Sequence, residues 1–257
     1  MKLIALTAIL FMVTASNLFG QSVRVALVQS AFEWADVQAN IDNFGQKVGS
    51  IEGCDVVILP ELFTSGCDMS RRDKGVKDAE KSNVAAHYDD VVAAMKKWAQ
   101  QSNAVIIGST IFKENKLFFN RLIAAYPNGK VLHYDKHNCF KHGSFSPGGE
   151  HLVIDVKGHR FATYICYDLR FEEWSRNEGR YQSAIYVANW PSSRAEDWDR
   201  LLRERAIENE AYVVGVNCVG VDPAGIQYMG NSSVISPSGE LMAACRGDEQ
   251  EILIVEY

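Results

Sequence analysis

Basic runs are missing from this chain: its 257 residues carry a net charge of -6, with acidic and basic side chains interspersed and no lysine or arginine stripe longer than Arg71-Arg72. That excludes the electrostatic footprint of a nucleic-acid partner. No repeat, linker or low-complexity segment interrupts the sequence, so a single domain is expected. The six cysteines, Cys54, Cys67, Cys139, Cys166, Cys218 and Cys245, show none of the regular close spacing of a disulfide framework. A chain with 47% hydrophobic residues fills a core without one, and mostly free thiols are expected.

What is present begins with an N-terminus of a different kind. Met1-Lys2 precedes an apolar run over residues 3–15, shorter than a bilayer span, and Ser16-Asn17-Leu18-Phe19-Gly20-Gln21 follows. One positive charge, a short apolar segment and a polar or small-residue end match a cleaved secretory signal, although Leu18 departs from the small residue preferred there. Residues 1–21 are therefore expected to be removed, leaving 22–257 as one exported domain, periplasmic or secreted, with no stable membrane anchor. No cysteine stands at the cleavage point, so no lipid anchor is indicated.

The patterning alternates between strands and helices. Apolar runs at 23–29, 56–59 and 104–111 predict strands, and helical spacing over 36–50 and 82–101 predicts helices between them, the second opened by Ser82. Pro127-Asn128-Gly129-Lys130 predicts a hairpin turn between 117–126 and 131–134, and Lys157-Gly158 joins β runs at 151–156 and 159–166. Strands at 183–188 and 212–218 flank a helix over 193–209. Its stripe of Ala195, Trp198, Leu202 and Ala206 reads as core or dimer contact. Runs at 231–236 and 252–255 read as closing strands. The pattern is that of an α/β domain whose helices cover a largely two-layered β core.

Three residues of different chemistry stand at the ends of such runs. Glu61 follows the run at 56–59 and Pro60, where a carboxylate in semi-apolar surroundings can take a proton from a thiol. Lys136, in Tyr134-Asp135-Lys136-His137, places an ammonium where a thiolate or oxyanion would need it. Cys166 sits where a strand gives way to a turn, so its thiol is presented at a sheet edge with the next backbone N–H groups beside it. Each alone is as readily an ordinary loop glutamate, a solvated lysine or a small buried hydrophobe. Their common position at strand ends makes the set specific.

In this order the three residues resemble the catalytic set of the nitrilase, or carbon–nitrogen hydrolase, superfamily. Cys166-Tyr167-Asp168-Leu169-Arg170-Phe171, Trp174-Ser175-Arg176-Asn177, Asn189-Trp190-Pro191, Arg205-Ala206-Ile207-Glu208-Asn209 and Gly230-Asn231-Ser232-Ser233 are similar to its omega-amidase branch. The resemblance implies an α-β-β-α sandwich that forms a homodimer, and hydrolysis of a small amide without metal or organic cofactor. It implies Glu61 as general base, Cys166 as nucleophile, and Lys136 with the backbone N–H of Tyr167 as the oxyanion site. Arg170 and Trp190 are candidates to line the pocket or bind a substrate carboxylate.

One segment departs from the family. The loop after Lys136 is short and contains no acid before Glu150, where the family has a second glutamate; Glu150 is the candidate substitute. The same loop clusters His133, His137, Cys139 and His142, but their spacing matches no established metal site and His133 and His137 straddle Lys136, so no metal is expected. The expected reaction is release of ammonia from the terminal amide of a small carboxylic or 2-oxo acid. Acyl transfer or cleavage of cell-wall or peptide amides is the alternative chemistry, and a catalytically weak binding protein the alternative class.

Overall fold

The computed structural model describes residues 22–66, 74–140 and 145–257. The N-terminal segment 1–21, Cys67 and His142 lie outside the described residues. The chain forms β1 (Arg24–Gln29), α1 (Val37–Gly49), β2 (Val56–Ile58), α2 (Lys74–Ala85), α3 (Tyr88–Ser102), β3 (Val105–Glu114), β4 (Leu117–Ala125) and β5 (Val131–Asp135). Next come β6 (Val153–Val156), β7 (His159–Ile165), a 3-10 turn (Cys166–Arg170), α4 (Glu172–Ser175), β8 (Ser183–Ala188), a second 3-10 turn (Ser192–Arg194), α5 (Ala195–Asn209) and β9 (Tyr212–Asn217). Strands β10 (Val219–Val221), β11 (Gln227–Met229), β12 (Ser233–Ile235), β13 (Leu241–Ala244) and β14 (Glu251–Glu256) complete the chain.

Among the described residues the strands build two six-stranded sheets, in the orders β14-β1-β2-β3-β4-β5 and β13-β12-β9-β8-β7-β6, beside the small β10-β11 pair. Each sheet has a parallel centre, β1-β2-β3 in one and β7-β8-β9 in the other, with antiparallel strands outside it. The period of two along β1 explains the layering. Val25 and Leu27 face the other sheet and join Val56, Ile58, Ile165, Val187 and Val214 in the central layer. Ala26 and Val28 face the opposite way, onto Phe44 and Val48 of α1 and Met95 and Trp98 of α3. On the second sheet, Ala162, Tyr164 and Tyr186 meet Trp198, Leu202 and Ala206 of α5. The result is the expected α-β-β-α sandwich.

The helix expected over 82–101 is instead two helices broken at Ala86-His87. Ser82 lies inside α2 and donates back to Asp78 O at 2.8 Å. A helical serine bonding to the carbonyl four residues earlier mimics a capping residue in sequence, which is why it reads as a start signal. Strand β12 falls within the run expected at 231–236, whereas the three-residue strands β10 and β11 and the edge strand β13 are too short to carry a clear alternation.

The five described cysteines, Cys54, Cys139, Cys166, Cys218 and Cys245, are all free thiols. The stripe on α5 is core: Trp198 is 1% exposed and its indole donates to Asn231 O at 2.9 Å. Gly215 of β9 is required beneath it, since a Cβ there would come within 2.7 Å of Trp198 Cζ2. Trp198→Ala is expected to lower the free energy of unfolding by roughly 3–5 kcal/mol in urea titration. A loss below about 1 kcal/mol would contradict the docking of α5 on the second sheet.

Candidate active site

The carboxyl ends of the parallel strands open on one side of the sandwich, the usual place for a site in such sheets. After β2, Leu59 N still pairs with Ile107 O at 2.7 Å, and Pro60 then ends the strand. Leu62 takes a left-handed φ of 46° and its N–H donates to Ser109 Oγ at 2.8 Å. This turn holds Glu61, 3% exposed, against the ends of the neighbouring strands.

Every contact of the Glu61 carboxylate is specific. Oε1 accepts from Lys136 Nζ and from Asn120 Nδ2, each at 2.7 Å, and Oε2 accepts from the backbone N–H of Asn189 at 2.8 Å. Asn120 belongs to β4, Lys136 follows β5, and Asn189 follows β8 of the other sheet. Lys136 is 5% exposed, and its own backbone is pinned by Asn120 O and Gly148 N at 2.9 and 3.0 Å. Gly148 permits the close return of the chain, because a Cβ there would lie 2.2 Å from Asp135 O. Burial disfavours the Lys136 ammonium, but Glu61, then Cys166 and Asp168, outweigh it and hold its pKa above the ordinary lysine value.

Cys166 opens the 3-10 turn after β7 with φ at 46°, a region that L residues other than glycine, asparagine and aspartate rarely visit. The turn swings its thiol into the cavity that Glu61 also lines, where it donates to Asn189 O at 4.0 Å. Desolvation and the Glu61 carboxylate push the thiol pKa up, and Lys136 opposes them only in part. At neutral pH Cys166 is therefore a thiol, not a pre-formed thiolate.

Glu61, Lys136 and Cys166 share one cavity, walled by Phe140, Tyr167, Asn189 and Trp190 and completed by Arg194. The structure thus brings together five residues read from the sequence: the three strand-end groups, Tyr167 and Trp190. Arg170 stands behind Trp190, its guanidinium 4.8 Å from the indole centroid and its Nη2 donating to Asp197 Oδ2 at 2.6 Å. It is not among the residues lining the cavity. Glu150 is exposed and also lies outside the cavity lining, because the chain has already turned away at Gly148-Gly149. His133 is exposed, the His137 ring stacks on Trp174 with centroids 3.5 Å apart, and the Cys139 thiol, pushed up to about 11 by burial, lies 3.5 Å from Lys136 O. Among the described residues no group of three or more histidine, cysteine or acidic side chains is placed to hold a metal ion.

Sequence reasoning passed over Asn120, Asn189, Phe140 and Arg194. Asn120 did leave a signal, as the one polar residue on the buried face of an alternating strand. Asn189 was within a noted motif but acts through its backbone N–H, which no side-chain reading identifies. Arg194 stands on the turn before α5, with its guanidinium 5.5 Å from the Phe140 centroid and 5.8 Å from that of Trp190. It makes no ion pair among the described residues.

A thiol, a carboxylate and an ammonium at the strand ends of an α-β-β-α sandwich define a hydrolase class. The chain belongs to the carbon-nitrogen hydrolase family, whose description matches residues 24–257. Among its relatives, "Omega-amidase YafV" of Escherichia coli is 42% identical over 224 residues, 86% of this chain and 84% of that protein. "2-Oxoglutaramate amidase" of Bacillus subtilis is 30% identical over 79% of this chain and 77% of its own length. A solved CN-hydrolase superfamily protein of Xanthomonas campestris, which carries an arsenic adduct in its active site, superposes with a TM-score of 0.83 at 34% identity, covering 91% of this chain and 90% of that one.

Glu61→Gln keeps the shape of the site and removes the proton acceptor. It is expected to lower kcat by roughly 10²–10⁴-fold in an ammonia-release assay, with the circular dichroism spectrum unchanged. A variant within about threefold of the parent would show that the thiol proton goes elsewhere.

Proposed function

We propose that this protein is an omega-amidase: it hydrolyses the terminal amide of a small carboxylic or 2-oxo acid through a cysteine thioester and releases ammonia. The observation that carries the chemistry is the single carboxylate of Glu61, bonded to the Lys136 ammonium in the cavity that also presents the Cys166 thiol. In the first half-reaction Glu61 takes the thiol proton as the sulfur attacks the amide carbonyl carbon. The carbonyl oxygen gains negative charge, and Lys136 with the Tyr167 N–H stabilises it. Collapse breaks the C–N bond, Glu61 returns the proton, and ammonia leaves a thioester on Cys166. In the second half-reaction Glu61 takes a proton from water, hydroxide adds to the thioester, and the C–S bond breaks to give the acid and the thiol.

The names of the relatives point to omega-amides, and the cavity supplies a reason for such a substrate. Phe140 and Trp190 form apolar walls suited to a short methylene chain, and the Arg194 guanidinium between them matches a distal carboxylate. We assign that contact to Arg194 in place of Arg170, which Asp197 already engages. The same proposal includes cleavage of residues 1–21 with export of the mature chain, supported by the apolar run at 3–15, and assembly as a homodimer. Leu241 and Met242, exposed on edge strand β13, are the kind of surface a second copy would cover.

The direct test is intact mass of the protein mixed with 2-oxoglutaramate, read beside ammonia release. A thioester-sized adduct that is absent from Cys166→Ala, together with ammonia, is expected. Full turnover by Cys166→Ala would end the thiol mechanism. Arg194→Leu is expected to raise KM for 2-oxoglutaramate by about tenfold or more, from loss of a charge-assisted contact, while leaving an uncharged amide such as propionamide nearly unaffected. An equal effect on both substrates would remove Arg194 from carboxylate recognition.

A further inference from the structure

Beside the catalytic cavity lies a buried carboxylate that takes no part in these steps. Asp168 is 0% exposed and lies two residues after Cys166. Its Oδ2 accepts from Tyr134 Oη at 2.7 Å and from Ile165 N at 3.0 Å, and its Oδ1 accepts from Asn138 N at 2.7 Å. Tyr134 stands two residues before Lys136 and Asn138 two residues after it. One carboxylate on the nucleophile turn therefore grips the lysine-bearing segment on both sides of the lysine.

The grip is itself braced. Tyr134 Oη accepts from His137 N at 3.2 Å and from Trp174 Nε1 at 3.0 Å. The Trp174 indole is sandwiched between His137, with centroids 3.5 Å apart, and His151, with centroids 3.9 Å apart. The charge of Asp168 also acts on Lys136 directly. This matters during the reaction, since Glu61 is neutralised when it takes the thiol proton. For that interval the charge of Asp168 still acts on the ammonium, and Lys136 must stay aligned on the growing oxyanion.

We propose that Asp168, through Tyr134, is a positioning residue that fixes the Lys136 ammonium relative to Cys166 while Glu61 carries the proton. This rests on the thiol mechanism with Lys136 at the oxyanion. The competing role is a plain turn cap, since the bond from Ile165 N closes the 3-10 turn whatever happens at Lys136.

The two roles separate by comparing two reactions of the same thiol. Amide hydrolysis builds an oxyanion, whereas alkylation of Cys166 by iodoacetamide is a displacement at saturated carbon and builds none. For Asp168→Asn, kcat on 2-oxoglutaramate is expected to fall by about 30-fold or more, with KM and the alkylation rate each within about threefold of the parent. Tyr134→Phe, which removes one of the three donors and keeps the ring, is expected to show the same split with a loss of roughly three- to tenfold. Parallel loss of turnover and alkylation, or turnover at the parent rate, overturns the proposal in favour of the turn cap. If Asp168→Asn does not fold, Tyr134→Phe decides by the same criterion. Absence of turnover by the parent protein, or its retention by Cys166→Ala, would instead identify failure of the underlying thiol mechanism.

Discussion

A buried carboxylate and a buried ammonium must each be paired, because leaving either alone in the interior costs several kcal/mol. In this protein that requirement falls on Glu61 and Lys136, and satisfying it organises the whole active side of the sandwich. The partners of Glu61 come from β4, from the end of β5 and from the end of β8. The first two belong to one sheet and the third to the other. The same four-way junction that neutralises the pair therefore fixes the spacing of the two sheets at the point where the thiol emerges. Stability and chemistry are supplied by one set of hydrogen bonds.

The resting electrostatics follow from that junction. With its thiol pKa raised by desolvation and by Glu61, Cys166 is kept protonated until substrate arrives. The lysine cannot lose its proton either, because the surrounding negative groups hold it charged. The site thus stores its proton on sulfur and its positive charge on nitrogen, which is the distribution needed to begin attack on a neutral amide.

Much of this was legible in the sequence. Apolar runs such as 23–29 alternating with helical spacing such as that of α1 indicated the layered α/β arrangement, and Glu61, Lys136 and Cys166 stood out because each ends an apolar run. The misses have physical causes. Ser82 looks like a helix start because a serine bonded to its own helix and a capping serine are the same letter. Asn189 contributes a backbone N–H, and its partner Glu61 is 128 residues away. Arg170 and Arg194 are equivalent in sequence; only the fold shows that Asp197, on α5, engages the first and leaves the second facing Phe140. Glu150 is the first acid after Lys136 along the chain, yet Asp168 is the one bonded to Tyr134 and Asn138 on either side of the lysine.

The left-handed backbone of Cys166 has a consequence for how this position can change over time. A side chain held there costs about 1–2 kcal/mol relative to an unstrained residue. Glycine would adopt the same φ freely. Chance substitution filtered for foldability alone would favour glycine at this turn, and a cysteine there is in keeping with the thiol chemistry proposed for it.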